Sequence, residues 1–337
     1  MKNKTGIIIT LIILAVWALA LAVPYFVLGQ GIIPQRQQAG LFGGGVPHAG
    51  NSGAAIPAGV DLYALGANQW IYVKRSCDPD FRALFAVRLF SDQEQLIGID
   101  FRPSDGQLYG ISDNGTIYTI GVARRERGNV VRISATNPRF AGGLQSLADF
   151  NPVVDALRLI GTNDQNFAVV NSGGNLNVTA MQTKIAYAAG DANQSQDPNL
   201  TGGSYTNNRN GAAVTLFYGL DYDLDTLITI DPAQPGGSSA TGGGQLRTIG
   251  KLQFFNGNPV NISPTADLDI FTDSNGINTL IGITGRTLFT VRESDLPYPQ
   301  LGATNPVQVR ASGLSFGGFV DVAAVFNGGR CRRGYDD

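Results

Sequence analysis

The sequence predicts an all-β chain: a β-propeller of about five four-stranded blades, with the N- and C-terminal strands sharing the closing blade, behind an N-terminal transmembrane helix. Three observations predict it. The composition is poor in helix formers, a strand–turn–strand unit recurs, and leftover strands at the two ends complete one another. Only 15% of the 337 residues are charged, with three Glu and five Lys against 44 Gly. Such a composition starves helices and supplies turns and strands. The formal net charge of −2 leaves no basic field for nucleic acid.

In chain order, residues 1–28 form a signal-anchor. After Lys2 and Lys4, the run 6–28, GIIITLIILAVWALALAVPYFVL, carries no charge. At about 1.5 Å per residue it can cross a hydrocarbon core of about 30 Å. The two lysines hold the N-terminus in the cytosol, so the rest is exported: extracellular, periplasmic or luminal. Cleavage after the small residues ALA at 20–22, giving a secreted protein, is the alternative. Residues 29–58, rich in Gly, Pro and Gln and without periodicity, read as a flexible stalk that contains the one histidine, His48. Residues 59–328 carry the propeller, and 329–337 are a tail.

The recurring unit is clearest in LYGISDNGTIYTI (108–120), FYGLDYDLDTLITI (217–230) and LIGITGRTLFTV (280–291). LYALGANQWIYV (62–73) and LRLIGTNDQNFAVV (157–170) are looser copies. Each is an apolar strand, a short Asn/Asp/Gly turn and an alternating strand, the pattern of a hairpin. Their starts lie 46, 49, 60 and 63 residues apart, a spacing that suits propeller blades. Four blades then have inner strands at 96–100, 147–150, 204–208 and 266–271, each followed by its hairpin and an outer strand. An inner strand is left over at 318–325, and a hairpin with its outer strand at 61–75 and 81–87. Together they make a fifth blade, so no sheet edge stays open. Cys77 follows the hairpin 61–75 and Cys331 follows the strand 318–325, and the two are expected to form a disulfide, which an exported domain permits. Segment 182–203 leaves a sixth blade open.

GIDFRPSDGQLYGI, DFNPVVDALRLI, NDQNFAVV, AAGDAN…SYTNN and LDTLITID, in this order, resemble the domain-of-unknown-function family 4394 over about residues 61–325. The resemblance implies propeller-like repeats in an exported protein, and no activity, cofactor or catalytic residue. The chain departs from the family in LAD, where a Gly-Phe-Asp start is usual, and in a Gly/Ser insert at 236–244.

With His48 in the stalk, no Ser–His–Asp or Cys–His arrangement can form in the domain. The cysteines have no neighbours at zinc spacing. Carboxylates remain. Asp100, Asp149, Asp269 and Asp321 each fall on a predicted inner strand, with Asn207 in the equivalent place of the third blade. Inner strands line a propeller's channel, so these oxygens are candidate ligands for Ca²⁺. The alternative is that each Asp caps its own strand-end turn. DYDLD (221–225) reads as a solvated turn, and the recurring aromatics, Tyr63 and Tyr109 among them, as packing between blades. Sequons at Asn114, Asn177, Asn193, Asn199 and Asn261 are candidate glycan acceptors on a eukaryotic secretory route.

The expected function is a non-enzymatic structural or protein-interaction module. Its partners are the membrane, through residues 6–28, and other proteins of an assembly, with no cofactor and no nucleic acid. The alternatives are a virion membrane or minor capsid protein of a large DNA virus, a Ca²⁺-dependent lactonase-like hydrolase, and a carbohydrate-binding module. The hydrolase reading requires Asp100, Asp149, Asp269 and Asp321 to meet at one point. The interaction reading expects unperturbed carboxylates.

Overall fold

The computed structural model describes residues 53–328 apart from 55, 173–174, 231–243 and 298–304. The expected anchor 6–28, His48 and the tail with Cys331 lie outside the described residues. Among those that are described, no helix is long and apolar enough to cross a membrane.

The described chain is all-β, with one 3₁₀ turn at Glu293–Asp295. Its strands are β1 (Val60–Gly66), β2 (Trp70–Arg75), β3 (Arg82–Ala86), β4 (Leu96–Phe101), β5 (Leu108–Ser112), β6 (Thr116–Ile120) and β7 (Val130–Ala135). Next come β8 (Ser146–Asn151), β9 (Ala156–Gly161), β10 (Asn166–Ser172), β11 (Asn175–Met181), β12 (Ala186–Tyr187), β13 (Leu200–Tyr205) and β14 (Phe217–Asp221). The remainder are β15 (Thr226–Ile230), β16 (Gln245–Phe254), β17 (Asp267–Thr272), β18 (Asn278–Thr284), β19 (Thr287–Arg292), β20 (Val307–Gly313) and β21 (Phe319–Phe326).

Consecutive strands pair antiparallel in sets of four: β4–β7, β8–β11, β13–β16 and β17–β20. The last two sets are joined by a short parallel pairing of β16 with β20, and β12 adds to β16. A further sheet has the order β21-β1-β2-β3 and so contains both ends of the domain. Val60 lies opposite Phe326, Leu62 opposite Ala324 and Leu65 opposite Asp321. The sequence's leftover strands therefore do share one sheet.

The first strands of the sets, β4, β8, β13 and β17, together with β21, pack side by side in that order and back to β4. These are the inner strands of a ring. A separate apolar cluster lies between each neighbouring pair of sets. Leu65, Ile99 and Val320 belong to one, and Ile111, Phe150 and Leu159 to the next. Ile160, Tyr205 and Ile228 fill the third, Leu220, Leu268 and Leu280 the fourth, and Leu62, Ile281 and Phe319 the fifth. Because each sheet buries both faces, β5, β9 and β18 are buried at every position. Each fully buried Leu, Ile or Phe contributes about 1.5–3 kcal/mol of transfer free energy. The architecture is consistent with a β-propeller.

Turn chemistry sets the hairpins. Between β5 and β6 the turn SDNG ends on Gly115, whose φ of +81 favours glycine. Asp155 and Asp225 hold the left-handed region in two other hairpin turns, at φ 50 and 54.

Two boundaries differ from expectation. The third inner strand is Leu200–Tyr205, not 204–208, because Asn207 turns left-handed at φ 55 and ends it. Segment 182–203 supplies only β12 and the start of β13, not a sixth set.

Candidate functional site

An inner strand has a sheet partner on one side only, so alternate N–H groups on its other side need an acceptor. The inner-strand acids supply it to the next strand of the ring. Asp100 on β4 accepts from Phe150 N–H on β8 at 2.8 Å. Asp149 on β8 accepts from Tyr205 N–H on β13 at 3.0 Å. Ser204 Oγ on β13 accepts from Ile270 N–H on β17 at 3.2 Å, and Asp269 accepts from Ala324 N–H on β21. In each case the donor follows the residue equivalent to the acceptor, so the series is one layer: Asp100, Asp149, Ser204, Asp269 and Ala323. Alanine interrupts it only on β21.

A second layer lies two residues earlier on each strand: Gly98, Leu147, Gly202, Asp267 and Asp321. Asp267 accepts from Val322 N–H at 2.8 Å, repeating the bridge. Asp321 lies close to the Ile99 N–H and the Asp267 carboxyl, but neither of its oxygens completes a hydrogen bond.

Of the predicted site residues, Asp100, Asp149 and Asp269 come together. One carboxylate oxygen from each lies within 4.8 Å of the others, and all three side chains are buried. Asp321 belongs to the adjoining layer and Asn207 to neither. Asn207 sits in the turn beyond β13, donating from its amide to Val214 O at 2.9 Å. Its expected place is taken by Ser204, whose hydroxyl donates to Asp269 Oδ1 at 2.9 Å. The turn-capping alternative describes only part of the geometry: Asp100 and Asp269 also accept from their own next residues, Phe101 and Ile270, while bridging to the neighbouring strand.

Burial is the first cause of a raised carboxyl pKa throughout this group. Asp100, Asp149 and Asp321 stand well above the usual carboxylate range, Asp269 is raised, and Asp267 is pushed up to about 7. The charges that reinforce the effect on Asp100, Asp149 and Asp321 are other members of the group. The expectation of unperturbed carboxylates is therefore not met.

Other expectations resolve locally. DYDLD is a turn, but Asp221 is fully buried and accepts from Tyr187 Oη at 2.8 Å, so it is not solvated. Tyr63 stacks edge-on against Phe101 and Tyr109 against Phe150, each across neighbouring sets, as packing requires. Asn177 and Asn261 are exposed, whereas Asn114, Asn193 and Asn199 are half-buried with hydrogen-bonded side chains. Of the expected disulfide, Cys77 is described and its expected partner Cys331 lies outside the described residues.

A concavity of about 670 Å³ opens where β4, β17 and β21 end. Phe101, Arg102, Arg209, Phe271 and Phe326 line it, and none of the clustered carboxylates does. Phe326 is 63% exposed and stacks on Phe271 at 6.2 Å. Arg102 is buried and held by Asp155, Asp105 and Tyr109, which fixes that side of the cavity in place.

The family described as "Domain of unknown function (DUF4394)" matches residues 71–296. No curated protein matches the chain. Among solved structures, an auxiliary nutrient binding protein from Bacteroides ovatus is similar at 13% identity and a TM-score of 0.39, over 64% of this chain and 51% of that one. A protein of unknown function from Bacteroides thetaiotaomicron is 12% identical, with a TM-score of 0.43, over 80% and 62%. A chain of a nidogen/laminin complex is 12% identical, with a TM-score of 0.42, over 79% and 98%. The chain spans about half and about six-tenths of the first two.

Proposed function

The chain belongs to the family described as domain of unknown function DUF4394, and from that premise we propose that residues 60–326 form a five-bladed β-propeller working as a protein-interaction module, held outside the cytosol by segment 6–28. The observation that carries this reading is the division of labour between axis and mouth. At the axis Asp100, Asp149 and Asp269 bridge one inner strand to the next. At the mouth, a concave surface offers the exposed Phe326 and Arg209, backed by the buried Phe271 and Arg102. Aromatic and Arg side chains in such a setting are typical anchors of protein interfaces.

The test is photo-crosslinking from position 326 in the full chain in its native membrane, with position 178 on an outer strand as the control. A discrete adduct from 326 alone is expected, and Phe326→Ala should abolish it while shifting the melting midpoint by less than about 2 °C, as for other exposed side chains. The same diffuse pattern from both positions would overturn the reading.

A hydrolase with a cation at the axis is the second reading, favoured by the convergence of Asp100, Asp149 and Asp269. Its difficulty is access, because these side chains are buried and do not line the cavity.

A further inference from the structure

Three carboxylates are directed at one buried spot by bonds that fix their orientation. Asp100, Asp149 and Asp269 are each 2–3% exposed. Each is held by at least one backbone N–H of the next inner strand. A carboxylate has about four lone-pair sites, so each keeps acceptor capacity beyond those bonds. The ligand atoms available, carboxylate oxygens and the Ser204 hydroxyl, are all hard donors, with no nitrogen or sulfur among them. With mutual separations within 4.8 Å, the three oxygens share a point no more than about 2.8 Å from each, so a contraction of a few tenths of an ångström brings all three to the Ca–O distance of about 2.4 Å. Backbone bonds that aim the ligands are the outer-shell support that metal sites use.

Asp321 is an independent observation. It is 2% exposed, and both its oxygens lack a completed hydrogen bond. Its Oδ2 lies against β4 at Gly98, two residues before Asp100, at 3.0 Å from where a Cβ would sit. Charge buried there without a partner costs stability unless something neutralises it.

We propose that Asp100, Asp149 and Asp269 form a buried site for one hard divalent cation of Ca²⁺ size at the centre of the ring, with the unbonded Asp321 carboxyl of the adjoining layer adding negative charge beside it. The ion would tie three of the five inner strands together directly, β4, β8 and β17, with β13 and β21 joined through the bonds of Ser204 and the Ala324 N–H to Asp269. Its role is to lock the ring, and it does not depend on what binds at the mouth.

The experiment uses the purified full chain. Its metal content is measured by mass spectrometry before and after EDTA treatment. CaCl₂ and, separately, MgCl₂ are then titrated into the metal-free chain by calorimetry, and the melting midpoint is followed with each. About one equivalent of Ca²⁺ is expected. At a hundredfold excess over the dissociation constant the midpoint should rise by roughly 5–10 °C. Asp149→Asn keeps an oxygen for the Tyr205 N–H and should weaken Ca²⁺ at least tenfold, while melting in EDTA no lower than the unsubstituted chain, since a repulsive charge is gone. A merely structural role for Asp149 would not raise or hold the EDTA midpoint. Should that variant fail to fold, the uptake by the unsubstituted chain decides. No bound metal, with the same midpoint in Ca²⁺ and EDTA, overturns the proposal. So does a midpoint that climbs as pH falls from 8 to 5 without any response to Ca²⁺, because protons would then fill the cluster. Equal affinity for Mg²⁺ overturns the assignment of size.

Discussion

Gly202→Ala is expected to lower the melting midpoint by about 6–12 °C. Gly202 sits on β13 against β17, where a Cβ would meet Asp267 Cα at 2.5 Å and Leu268 N at 2.8 Å. Both obstacles are backbone atoms of a neighbouring inner strand, so no side-chain rotation relieves the clash. Thr201 pins the same stretch, donating from its hydroxyl to Pro264 O at 2.6 Å. Overpacking a tight interior site costs about 1–3 kcal/mol and sometimes more. An obstruction by main chain belongs at the top of that range, about 3 kcal/mol, and each kcal/mol moves the midpoint by about 2–4 °C in a domain of this size. Gly143 is the control: a Cβ there meets nothing within 4 Å, so Gly143→Ala should leave the midpoint within about 2 °C. Calorimetry of both variants reads the contrast. Equal midpoints would mean that β13 and β17 are not pressed together as described.

A chain ending at Gly318 is expected not to fold cooperatively. The truncation removes β21 and with it the partner of β1 from Val60 to Gly66. It also removes Phe319, Val320, Val322, Ala323 and Ala324, all buried, and uncovers the inner faces of both adjoining sets. At about 1.5–3 kcal/mol for each large apolar side chain, before lost strand pairing is counted, the loss is comparable to the whole stability of about 5–15 kcal/mol. The truncated chain should bind a hydrophobic dye and show no sigmoidal unfolding in urea. Placing residues 317–327 ahead of Gly59 through a short turn should restore folding, because Phe326 already lies opposite Val60. A truncated chain that melts sharply at the original midpoint would show that ring closure is dispensable.

Much of this architecture was legible because blades repeat. The apolar–turn–alternating pattern located the hairpins, and the strands left over at 61–87 and 318–325 had only each other to complete. The candidate site was read less fully. In TGGSYTNN no alternation of apolar residues marks where a strand begins, so the sequence places the third inner strand too late and puts Asn207 where the structure has Ser204. The signal for Asp267 is present in the sequence: DLD in ADLDIF alternates with period two and places both acids on one face of β17. The burial of Asp221 depends on Tyr187, which comes from a separate strand 34 positions away. The bridges between inner strands were hidden for a deeper reason: each joins a side chain to a backbone N–H in another blade, and a backbone donor leaves no mark in the sequence.

The antiparallel register of β1 with β21 has a mechanical consequence. Residues 60 and 326 lie at the same end of that pair. Tension applied between them would therefore unzip the strands one rung at a time and would not shear all the rungs together. Load carried between those two positions meets the rungs singly, so that pair of strands resists it far less than it would resist a pull along its length.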